Sequence, residues 1–207
     1  MADRFHRRSI RLRGYDYTRT GAYYVTVCTH ERLHSFGQVV DGIMRYSPMG
    51  NIVQRCWDAI PEHMPMVVCD AFVVMPNHVH GIIVITDTVT ELPGPPAIRR
   101  GGEFAAPTDP GPADIPVVPP PPDDPGIPRR PPIAIMPKNS LGHIMQTFKA
   151  AVSRQAIRDG LVPRGTSIWQ RGYYEHIIRD GDAHDRIARY IADNPANWKD
   201  DRFHHGR

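Results

Sequence analysis

The stretch Phe72-Val73-Val74-Met75-Pro76-Asn77-His78-Val79-His80-Gly81-Ile82-Ile83-Val84-Ile85 restricts what this chain can fold into more than any other. One apolar run enters it, Pro76-Asn77 interrupts it, and a second apolar run leaves it. Both runs are about strand length and rich in β-branched residues, which predicts two adjacent antiparallel strands. His78 and His80 are two positions apart in the second run. Side chains alternate faces along a strand, so both imidazoles project to the same side. Two imidazoles on one rigid face form a partial metal site that lacks a further ligand. The plainer alternative is one core histidine and one solvated histidine.

With 207 residues, 41% of them hydrophobic and 23% charged, the chain has material for one globular domain with a real core. We read residues 1–207 as that single domain, interrupted at 93–137 by a segment holding sixteen of the 22 prolines. Proline blocks both helix and ladder hydrogen bonds, so the segment is expected to be a disordered or polyproline-like insertion. No apolar stretch reaches the ~20 residues of a membrane span. The basic start, Met1 to Ile10, lacks the apolar core of an export signal. Cys28, Cys56 and Cys69 are odd in number and widely spaced, which fits free thiols in a reducing compartment. A cytoplasmic protein without membrane contact is expected.

The net charge of +3 is unevenly spread. Arg4, Arg7, Arg8, Arg11 and Arg13 crowd the beginning, and Lys149, Arg154, Arg158, Arg164 and Arg171 recur late. Arginine-rich patches suit phosphate contacts, although a solvated basic face has the same composition.

Residues 1–20 read as an irregular basic arm, and Ala22–Thr29 reads as a strand. Phe36–Tyr46 reads as two short strands around the turn dipeptide Asp41-Gly42. Ser47-Pro48 then opens a helix expected to run to about His63. Order returns at Asn139-Ser140 with a helix carrying Leu141, Ile144, Met145, Phe148 and Val152 at helical spacing, ending near Asp159-Gly160. A mixed aromatic and basic stretch, Ile168–Ile178, follows. Asp182 is the expected N-cap of a last helix that Asn194-Pro195 terminates.

That last helix offers what the histidine pair lacks. Tyr190 and Asn194 are four positions apart and share a helix face. Laid across the sheet face of His78 and His80, this helix would put a phenol beside a metal completed by the Asn194 carbonyl oxygen. Imidazole and oxygen ligands with open positions suit Mg2+ or Mn2+. A phenol, whose ordinary pKa is about 10, becomes a competent nucleophile when charge is stabilised nearby.

Three segments together are distinctive: Val73–Ile82, Trp169-Gln170 with Tyr174–Arg179, and Tyr190-Ile191-Ala192-Asp193-Asn194-Pro195. With the Gly21–Thr29 strand, they resemble the single-tyrosine HUH transposases, and within them the branch associated with repetitive extragenic palindromes. The resemblance covers roughly residues 7–92 and 138–198. It implies an α+β fold, a ferredoxin-like or RRM-like antiparallel sheet with helices on one face. It implies a DNA transposase that cuts and rejoins single-stranded hairpin DNA through a 5′-phosphotyrosine, with a divalent metal. By position, His78 and His80 match the metal-binding histidines and Tyr190 matches the nucleophile. Asn194 falls where insertion-sequence relatives place a glutamine ligand, with Asp193 and His176 as rival third ligands. The resemblance also implies a homodimer. DNA contacts are expected from Arg11, Arg13, Lys149, Arg154, Arg158 and Arg171, with Trp169 and Tyr173 as stacking surfaces. Tyr173 and Tyr174 are rival nucleophiles. The competing functional readings are a domesticated hairpin-binding protein and an unrelated H-x-H metallohydrolase.

Overall fold

Strand alternation sorts the hydrophobic residues into two layers, one on each side of a single sheet. The computed structural model describes residues 16–87, 139–201 and 203–204. The proline-rich segment expected at 93–137, and Arg11 and Arg13, lie outside the described residues. The elements are β1 (Gly21–Cys28), β2 (Gly37–Val40), β3 (Ile43–Tyr46), α1 (Pro48–Asp58), α2 (Ile60–His63), β4 (Val67–Met75), β5 (His78–Ile85), α3 (Leu141–Arg158), β6 (Tyr174–Ile178) and α4 (Gly181–Asp193). Four strands form an antiparallel sheet in the order β4-β5-β1-β6. With the β2–β3 hairpin set aside, this is the ferredoxin-like βαββαβ arrangement, with β5 and β1 at its centre.

On one face, Tyr23, Val25 and Val27 of β1 and Val79, Ile83 and Ile85 of β5 meet Ile52, Val53 and Trp57 of α1 and Leu141, Ile144, Phe148 and Val152 of α3. On the other, Tyr24, Val73, Met75, Ile82 and Ile178 meet Ile187 and Ile191 of α4, then Trp198 and Phe203 beyond it. The two crossover helices therefore share one face as expected, and α4 lies across the opposite one, the face that carries the histidines.

Local chemistry sets the boundaries. The Ser47 side chain accepts from Gly50 N at 3.1 Å and Pro48 occupies the first turn, as the sequence predicts. The single helix expected from Pro48 to about His63 is instead two pieces, divided at Ala59. Pro61 supplies no N–H and its ring cannot follow a preceding helical carbonyl, which accounts for the break. The last helix is capped by Asp180, which accepts from Ala183 N at 2.7 Å, rather than by the expected Asp182. Asp182 sits within the first turn, where a carboxylate complements the helix dipole. Asp41 and Gly42 both have positive φ, 52° and 73°, as a two-residue type I′ hairpin turn requires.

Gly81 shows why the His-x-His pair is followed by the smallest residue. A Cβ there would stand 2.5 Å from two ring carbons of Trp57 and 3.0 Å from Phe72 Cδ2. Those rings are stacked at a centroid distance of 4.1 Å, and Trp57 is itself wedged against Phe148. Gly81→Ala is therefore expected to lower stability by about 1–3 kcal/mol through overpacking. A denaturant midpoint shift at constant slope would register it, and an unchanged midpoint would mean that the rings can give way.

Candidate active site

β5 presents His78 and His80 on the α4 side, and both are fully buried. Their Nε2 atoms face each other at 3.0 Å. Each ring is held from behind by its other nitrogen. Asn77 Nδ2 donates to the carbonyls of Arg32 and Phe203 at 3.3 and 2.7 Å, so its Oδ1 is the atom that faces His78 Nδ1 at 2.9 Å. His78 Nδ1 must then be the donor, and its Nε2 carries the lone pair. Behind His80, the hydroxyls of Tyr24 and Thr26 each lie 2.8 Å from Nδ1. Thr26 stands directly opposite His80 in the β1–β5 register, and Tyr24 shares its face two residues away. The Tyr24 ring also stacks on His80 at 5.6 Å and 26°.

α4 brings Tyr190 to this pair. Its hydroxyl is 3.5 Å from His80 Nε2, within a single protomer. Two other tyrosines lie close by: Tyr24 contacts Tyr190 edge-on at 6.5 Å and Tyr174 at 6.3 Å. Tyr24 is committed behind His80, so Tyr190 is the phenol in front of the paired Nε2 atoms. The helix is also tied to β4 at its other end, where His184 Nε2 and Asp70 Oδ2 are 2.6 Å apart. The Asp70 hydrogen bond raises the His184 pKa above its ordinary value, against a smaller opposing effect of burial. A raised folded-state pKa adds stability in full below the unfolded value of about 6.5, and loses it as pH climbs through the folded value. The pair is partly exposed, so Asp70→Asn should cost about 0.2–1 kcal/mol at pH 6 and nothing at pH 9. Melting curves at the two pH values check this, and equal losses at both would deny the pair its charge.

The third position is where the residues differ from expectation. Among the described His, Cys, Asp and Glu residues, one group could hold a metal ion: His78, His80 and Asp201, with ligand atoms all within 4.8 Å of one another. Asp201 follows the short 3-10 turn Trp198–Asp200, and its Oδ1 accepts from Phe203 N at 2.6 Å. The Phe203 ring then covers His78 at 4.5 Å. Of the three oxygen or nitrogen ligands considered from sequence, Asp193 is exposed and His176 sits on β6, opposite Tyr24. Neither belongs to the group. Asn194 caps α4 one turn beyond Tyr190, is 3% exposed, and its buried Oδ1 has no hydrogen-bond partner among the described residues. An orphaned buried carbonyl oxygen is costly unless something pairs with it.

The donor set suits a divalent cation. The two Nε2 atoms, 3.0 Å apart, are close enough to hydrogen-bond to each other or to share one ion. Nδ1 atoms held by an amide oxygen and hydroxyls are the outer contacts that metal-binding histidines require.

The basic and aromatic residues expected to meet DNA are divided by the fold. Arg154, Arg158 and Arg171 are exposed. The first two lie on α3, in the layer behind the sheet from the imidazoles. Lys149 is not an open cation: its ammonium donates to the carbonyls of Gln170 and Gly172 at 2.7 and 2.9 Å, and burial pulls its pKa down to about 8. Trp169 is a core residue, 8% exposed, packed on Phe36 and Phe148 with its indole N–H on the Lys149 carbonyl. Little of this ring, from which stacking was expected, reaches the surface. Tyr173 is half-buried against the same core. Tyr24, Thr26, Asn77 and Asp201 are neighbours of the histidine pair that the sequence alone does not single out. For the first two, a signal is present in the alternation of β1.

The described residues thus form a ferredoxin-like α+β domain whose sheet carries a buried His-x-His pair faced by a helix tyrosine. The chain is 33% identical over 199 residues to an uncharacterised protein of Haemophilus influenzae, covering 96% of this chain and 93% of that one, and it belongs to the same family. No family model matches the chain. Among solved structures, a REP-associated tyrosine transposase bound to a REP hairpin is similar over 90% of this chain and 73% of its own, at 16% identity and a TM-score of 0.49. A proposed transposase of Deinococcus radiodurans is similar over 88% of this chain and 95% of its own, at 15% identity and a TM-score of 0.41. No helix among the described residues is long and apolar enough to cross a membrane.

Proposed function

We propose that this protein is a DNA strand transferase of the tyrosine transposase type, which cleaves and rejoins single-stranded DNA beside a hairpin. One observation carries the reading: the Tyr190 hydroxyl lies 3.5 Å from the Nε2 of His80, which itself faces His78 Nε2 at 3.0 Å. A nucleophile and a divalent-cation seat thus share one buried face.

In the proposed reaction the Tyr190 oxygen attacks a DNA phosphorus and gives up its proton. The phosphorus–O3′ bond breaks, the departing 3′-oxygen takes a proton, and the 5′-phosphate stays on the tyrosine. Attack by a 3′-OH on that ester reverses the step and rejoins a strand. His78 and His80 would hold Mg2+ or Mn2+, with Asp201 as the oxygen donor grouped with them and Asn194, one helical turn beyond Tyr190, as the rival oxygen donor. The ion would polarise the scissile phosphate and stabilise the leaving oxygen. Asn77 fixes the ring of His78, and Tyr24 and Thr26 fix that of His80, so that both lone pairs point at the same spot.

The test is incubation of the purified protein with hairpin oligonucleotides taken from the flanks of its own gene, in Mg2+ or Mn2+ and in EDTA. A covalent protein–DNA adduct that forms with metal and vanishes with EDTA is expected. Hairpin binding with no adduct under any metal would leave a binding protein, and the strand-transfer reading would be withdrawn.

A further inference from the structure

Lys149 is a cation that the site above does not use. It sits mid-way along α3, yet it reaches the segment that leads into β6. Its Nζ donates to the carbonyls of Gln170 and Gly172, while its own carbonyl receives the Trp169 indole N–H at 3.3 Å. Side chain and backbone of one residue therefore grip both sides of Gln170-Arg171-Gly172. The residue between the two captured carbonyls is Arg171, which is exposed. Gly172 completes the turn at φ +80°, a left-handed conformation that side chains resist.

The position of this turn gives it meaning. Trp169 forms an isolated antiparallel bridge with Thr29, and Gln170 N donates to Cys28 O at 2.9 Å. Cys28 is the residue opposite His78 across the β1–β5 pair. The turn therefore continues the line of β6 to the level of His78, one strand beyond β1. Arg171 stands at the end of the sheet where the imidazoles are, whereas Arg154 and Arg158 lie behind it. A guanidinium there suits a phosphate of the strand that would run through the site.

We propose that Lys149 is a positioning residue for nucleic-acid binding: it does not touch the strand, but holds the 170–172 turn so that Arg171 meets a backbone phosphate. This rests on the function proposed above. Without the ammonium, the Gln170 and Gly172 carbonyls lose this donor and the turn loses its clamp.

The test is the salt dependence of binding to a hairpin oligonucleotide with a single-stranded flank, for wild type, Arg171→Ala, Lys149→Met and the double variant. Removing one phosphate interaction makes the slope of log K against log salt shallower by about 1. Arg171→Ala and Lys149→Met should each show that change, and the double variant should show it once. A double variant shallower by about 2 would mean that Lys149 meets a phosphate of its own, and a wild-type slope for Lys149→Met would mean that the clamp is irrelevant; either result overturns the proposal. Gly172→Val keeps the ammonium and strains the turn through its backbone at φ +80°, while an added Cβ meets no described atom within 4 Å. It should reproduce the Arg171→Ala slope, and it decides the matter alone if Lys149→Met does not fold. Failure of the wild type to bind would overturn the function as well, whereas wild-type binding with unaltered variant slopes removes only this inference.

Discussion

Tyr190→Phe should abolish the covalent adduct, a loss of at least about a thousandfold, while hairpin binding stays within about twofold of wild type. The change removes one oxygen. The ring remains in contact with Tyr24 and His80, which it meets edge-on at 6.5 Å and tilted at 5.4 Å, so the helix has no reason to move. The hydroxyl is the only part of the side chain that the proposed chemistry needs. Denaturing gels after reaction in Mn2+ separate linked from free protein. Tyr174→Phe, run beside it, should retain the adduct. An adduct that survives Tyr190→Phe would move the nucleophile elsewhere and leave the proximity to His80 without a chemical role.

Replacing the imidazoles should be nearly as damaging and differently shaped. His80→Ala removes a ligand and also leaves the hydroxyls of Tyr24 and Thr26 without the ring nitrogen they now meet at 2.8 Å. His78→Ala likewise takes the ring nitrogen away from the Asn77 amide oxygen. In both variants cleavage should fall by about a hundredfold or more, the upper end of what removing a single outer hydrogen bond to a ligand costs. Higher Mn2+ should recover part of the rate, because binding rather than chemistry has been weakened. The third donor is decided by the same assay. If Asp201 ligates, Asp201→Ala should raise the Mn2+ requirement at least about tenfold while Asn194→Ala does not; if Asn194 is the oxygen donor, the order reverses. Rates untouched by either histidine substitution would sink the metal assignment.

Much of this site can be read from local pattern because each key pair lies within one element. His78 and His80 share a face by strand period, and Tyr190 and Asn194 share one by helix period. A helix across the imidazole face is one arrangement those two facts allow, and the packing of α4 on Tyr24, Val73 and Ile82 is what selects it. What local pattern does not carry depends on meetings between distant segments. Asp201 comes from a short polar tail with no periodicity, and its place depends on Phe203, whose carbonyl is fixed by the Asn77 amide 126 positions earlier. From the sequence, Lys149 reads as a surface cation and Trp169 as a stacking ring in a mixed aromatic and basic stretch. Trp169 is buried against Phe36 and Phe148, and Lys149 is half-buried because its four-carbon stem carries the ammonium to the Gln170 and Gly172 carbonyls. Pro61 is legible as a helix break, and its position within the expected span is reason enough for the shorter helix.

The two layers of this protein are spelled in alternate letters of the same strand. Even-numbered positions of β5 from His78 to Val84 carry the imidazoles and face α4, while odd-numbered ones lie beneath α1 and α3. One residue inserted ahead of His78 would shift the reading frame of the strand. Both imidazoles would then turn under the Trp57 side of the sheet, and Val79 and Gly81 would face Tyr190. Catalytic geometry and core composition in this domain therefore cannot drift apart by insertion or deletion within β5.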